Sequence, residues 1–91
     1  MPKYMVERHL PGFKAEQLPS AAALAKRATG EMTKEGTPIR YLGSTFVPDE
    51  ERCMCLFEAP SPAAVREANT RAGLPLERII EATSVLAADV D

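Results

Sequence analysis

The sequence predicts a two-layer α+β sandwich: one four-stranded antiparallel sheet with two helices on a single face. Three observations predict it. Segments of period two and segments of period 3.6 alternate in the order β-α-β-β-α-β. Residues 52–58, the helix that follows them and Ile79-Ile80 form a compact β-α-β unit. The chain has 91 residues, enough for one small domain and too few for two. That element order is the split β-α-β pattern of the ferredoxin-like sandwich.

The first strand is expected over 3–10, with Tyr4, Val6 and Arg8 on one face and Met5, Glu7 and His9 on the other. Pro11-Gly12 ends it. A helix follows over 15–33, because Leu18, Ala21, Ala22, Ala25, Ala28 and Met32 recur at helical spacing. Pro19 is tolerated only near the start, so regular helix is expected from Leu18. Gly36-Thr37-Pro38 stops it.

The second strand, 39–47, puts Ile39, Tyr41, Thr45 and Val47 on one face, with Gly43 marking a bulge or a close backbone approach. Pro48-Asp49-Glu50-Glu51 turns the chain into the third strand. Ser61 then caps a second helix whose first residue is Pro62. Val65, Ala68 and Ala72 form its buried stripe, and Gly73 suits the left-handed position after it. The last strand is expected over 77–86, and the tail beyond it is short. The domain therefore spans 1–91, with an ordered core over 2–86.

Strands three and four carry apolar groups on both faces. Met54 and Leu56 alternate with Cys55 and Phe57, and Ile79 and Val85 with Ile80 and Leu86. Met54 and Leu56 are the more aliphatic pair and are assigned to the helix side. Cys53, Cys55 and Phe57 are left on the open side. A bare apolar sheet face is rare in monomers. The expected remedy is two sheets packed face to face in a homodimer, a dimeric α/β barrel.

A net charge of −2 without a basic stripe argues against nucleic acid as a partner. No run is long enough to span a bilayer, and the first residues lack a signal-peptide core, so no membrane partner is expected and the cytoplasm is the default location. The two cysteines, at i and i+2 of one strand, read as free thiols in a reducing compartment. There is no Gly-rich phosphate loop, nucleophile elbow or Cys-x-x-Cys motif. No catalytic residue is assigned.

The opening Met1-Pro2-Lys3-Tyr4-Met5-Val6-Glu7-Arg8-His9-Leu10-Pro11-Gly12 resembles the start of a small bacterial protein family. So do Cys55-Leu56-Phe57-Glu58-Ala59-Pro60-Ser61, Val65-Arg66-Glu67, Ala72-Gly73 and Arg78-Ile79. The family is largely uncharacterised and includes a nickel-binding protein of ferredoxin-like fold. The resemblance implies a dimer with a site for nickel or another divalent transition metal. It implies His9, Cys55 and Glu81 as ligands, and it places Asn69 where many members carry a histidine. With one histidine in the chain, a histidine-rich site cannot form within one subunit.

The residues give their own reading beside this. Glu7 and His9 share a strand face, as a ligand pair or as a base with its orienter. Thiolate and imidazole together suit nickel, zinc or copper. Tyr41 and Phe57 are candidates to line a pocket. The alternatives are a small-molecule-binding or enzymatic α/β barrel of monooxygenase or isomerase type, and a structural dimer with no ligand.

Overall fold

The computed structural model describes all residues, Met1–Asp91. Strands β1 (Lys3–His9), β2 (Arg40–Val47), β3 (Arg52–Glu58) and β4 (Arg78–Ala82) form one sheet in the order β2-β3-β1-β4. Every neighbouring pair is antiparallel. Helices α1 (Leu18–Lys34) and α2 (Pro62–Ala72) cover one face. The ferredoxin-like architecture expected from the sequence is therefore present.

Local chemistry sets the element ends. Pro19 lies in the first turn of α1, where its missing N–H has no bond to lose. The Ser61 hydroxyl accepts from the Ala64 N–H at 3.2 Å and caps α2. Gly73 closes α2 at φ 70°, and the Leu74 N–H folds back to the Asn69 carbonyl at 3.1 Å. Alanines at the helix–sheet seam (Ala25 and Ala28 of α1, Ala64 and Ala68 of α2) are buried and let the two layers approach closely. Beneath them lie Tyr4, Val6, Cys53, Cys55 and Phe57, which form the core with Met32, Ile39 and Val65.

Three expectations are corrected. First, the faces of β3 are reversed. Cys53, Cys55 and Phe57 are buried against the helices, while Met54 and Leu56 point to the open side and are half-buried. Small thiols and a flat ring fit the narrow space under alanine-lined helices, and unbranched Met54 tolerates the rim. Second, β4 stops at Ala82. Ala82 pairs with Lys3, the first residue of β1, and the pairing ends there. Val85 and Leu86 are 68% and 67% exposed.

Third, β2 does not keep one set of side chains on one face. Tyr41 pairs with Phe57 and Gly43 with Leu56, so Leu42 is an extra residue. This bulge switches the alternation. Tyr41, Ser44 and Phe46 lie opposite the helix-side residues Phe57, Cys55 and Cys53, and Thr45 and Val47 lie opposite Met54 and Arg52. On the open face, Met5, Leu42, Met54 and Leu56 border a shallow depression.

Candidate functional site

Two groups of functional side chains emerge, one on each face of the sheet. The first lies on the open face at the end where β1 stops. The register sets His9 opposite Arg52 and Glu7 opposite both Met54 and Arg78. The guanidinium of Arg78 donates to Glu7 through Nε at 2.6 Å and through a second nitrogen at 3.2 Å. That bond, more than any other influence, holds the Glu7 carboxyl below its ordinary value. Glu7 is thus engaged by Arg78 rather than by His9.

The partner of His9 is Glu51, whose Oε1 lies 3.9 Å from the imidazole Nε2. Glu51 closes the β2–β3 turn in a left-handed conformation, φ 54°. Its Oε2 accepts from the Gly12 N–H at 2.6 Å, and its carbonyl accepts from the Leu10 N–H at 2.7 Å. One residue therefore clamps the β1 end and faces the histidine. A strand over 52–58 antiparallel to β1 puts 51 next to the end of β1, but in sequence Glu51 is one of three consecutive acidic residues in a polar turn. Arg52 adds an ion pair with Glu77 at 2.7 Å.

The second group is buried under α1. The β2 bulge brings Tyr41 and Ser44 to the same side, with the hydroxyls 2.6 Å apart. Ser44 Oγ is 2.9 Å from Cys55 Sγ, and the two thiol sulfurs are 3.8 Å apart. Arg8 stands opposite Cys53 in the register and is only 2% exposed. Its Nη1 donates to the Pro75 carbonyl at 3.0 Å, and its Nη2 has no partner. Burial, reinforced by the neighbouring Cys55, pushes the Cys53 thiol up to about 11. A cavity of about 30 Å³ adjoins these groups, lined by Arg8, Ser44, Cys53 and Cys55 below and by Leu18 and Ala25 above.

The sequence-derived ligands do not meet. His9 is exposed on the open face, whereas Cys55 is buried on the helix side. Glu81 pairs with Tyr4 near the opposite end of β1 and is exposed on edge strand β4. Phe57 is fully buried and packs against Tyr41 with ring centroids 5.6 Å apart. Neither ring lines the buried cavity. Asn69 is buried within α2, donating Nδ2 to the Val65 carbonyl at 2.8 Å.

No group of three or more His, Cys, Asp or Glu side chains is placed to hold one metal ion. A divalent transition metal takes about four ligands. His9 and Glu51 are chemically suitable donors, imidazole and carboxylate. They amount to two, so one protomer does not hold a complete site.

The comparisons bear on fold and family. No curated protein matches the chain. The crystal structure of SCO4226 from Streptomyces coelicolor A3(2) superposes with a TM-score of 0.69. The two chains are 24% identical over 92% of this chain and 99% of that one, a likeness of fold. The family model described as nickel responsive protein SCO4226-like matches residues 4–82, and the chain belongs to that family.

Proposed function

We propose that this protein is a cytoplasmic homodimer, closed through the open sheet face, that binds a nickel-class divalent metal at the sheet end where His9 and Glu51 lie. The observation that carries the reading is the shared face. Half-buried Met5, Met54 and Leu56 lie on the same side of the sheet as His9, so a cover for the apolar patch also lies beside the donors. The family description supplies the metal class. A single chain supplies two donors, and the second copy supplies the rest. Metal binding and pairing of copies are then linked events.

Nickel titration of chelator-treated protein by calorimetry tests this. The expected result is binding by the wild type that is lost in both His9→Ala and Glu51→Gln, with no more than one nickel per two chains. Glu51→Gln keeps an oxygen for Gly12. Unchanged nickel binding in both variants would remove the site, and an absence of nickel binding by the wild type would leave a structural dimer.

A further inference from the structure

We propose that the cavity under α1 is a binding site for a small monovalent anion of the halide, nitrate or formate class, held by the free Nη2 of Arg8. Arg8 brings a guanidinium cation into the interior, where it is 2% exposed. A buried cation is costly unless an opposite charge faces it. No Asp or Glu lines the cavity. The one hydrogen bond that Arg8 makes goes to a neutral carbonyl, that of Pro75, and Nη2 is left without an acceptor.

Cys53 stands opposite Arg8 in the register. Arg8 also lines an open space. The cavity of about 30 Å³ exceeds the roughly 10–15 Å³ of open volume needed to admit one water, and falls well short of a drug-sized pocket. Tyr41, Ser44, Cys55 and Cys53 are linked by three hydrogen bonds, which leaves one of their four hydrogens free to turn toward an anion from Ser44 or a thiol on the floor. Leu10, Phe13, Leu18 and Leu74 close the remaining walls with apolar groups, which disfavours strongly hydrated or doubly charged ions. Ala21, Ala22 and Ala25 of α1 create the room, since a larger side chain at any of them would fill it.

Crystals grown without halide and soaked in sodium bromide give the direct test on the unaltered protein. An anomalous bromine peak within hydrogen-bond reach of Arg8 supports the site. Its absence, with water alone at Nη2, overturns it. In solution, thermal unfolding is compared in sodium nitrate and sodium fluoride at matched ionic strength. Bound nitrate raises the melting temperature above that in fluoride, against the general salt order, and the gain disappears in Arg8→Met. Calorimetry should show nitrate binding weakened about tenfold or more in Ala25→Leu, which fills the cavity and leaves the charge. Equal melting in the two salts, together with thiolate absorbance at neutral pH, would show that a cysteine neutralises Arg8 and would sink the proposal.

Discussion

The two faces of the sheet are built from the same strands and differ in what covers them. On the helix side, Tyr4, Val6, Cys53, Cys55 and Phe57 are almost fully buried by α1 and α2. On the other, Met5, Met54 and Leu56 are half-buried, and charged pairs such as Arg78–Glu7 flank them. The comparison teaches that stability is concentrated on one face and chemistry is divided between both. The covered face hides a cation and two thiols, whereas the open face presents the histidine, a carboxylate and an apolar patch.

The largest expected effect separates the faces by packing. Phe57→Ala should cost about 3–5 kcal/mol in urea unfolding, the range for a large ring removed from a closed core. Leu56→Ala, one residue along and on the open face, should cost about 1 kcal/mol in the dissociated chain. Equal losses would break the contrast.

Next comes pH. Burial pushes the Cys53 thiol from an ordinary value of 9.0 up to about 11, and burial also raises Tyr41. The folded chain therefore keeps protons that the unfolded chain releases. This contribution is complete below pH 9 and is lost as pH rises toward about 11. Chemical denaturation across that window should show a decline that is shallower in Cys53→Ala.

The helices roof only one face, so weakening a cap should act there alone. Ser61→Ala should cost about 1 kcal/mol, read from the denaturation midpoint, and leave the oligomeric state unchanged. The smallest effect belongs to the open face. Arg78→Met should raise the Glu7 pKa toward its ordinary value, seen in a carboxyl NMR titration, with little change in melting temperature.

Much of the fold was legible because local rules and global packing agreed. Ser61-Pro62 and Gly73 set α2 at both ends, and the apolar run at 52–58 set β3. The candidate site was less legible because it depends on which side of a strand faces the helices. Alternation showed that Cys55 and Met54 part company, but cysteine's preference for burial had to outweigh the greater aliphatic bulk of Met54 and Leu56. The extra residue Leu42 then moved Ser44 and Phe46 to the covered side, which a fixed period of two cannot anticipate. Glu51 carries no local signal, because its role lies in long-range contacts with His9 and Gly12. Val85 and Leu86 look like strand residues, yet β1 begins too late to pair with them.

The most direct test of the central claim is sedimentation velocity on the wild type and on the double variant Met54→Glu, Leu56→Glu. If a second copy covers the open face, the wild type sediments at twice the chain mass and the variant, still folded by circular dichroism, at the chain mass. A wild type that sediments as one chain at high concentration would contradict the account.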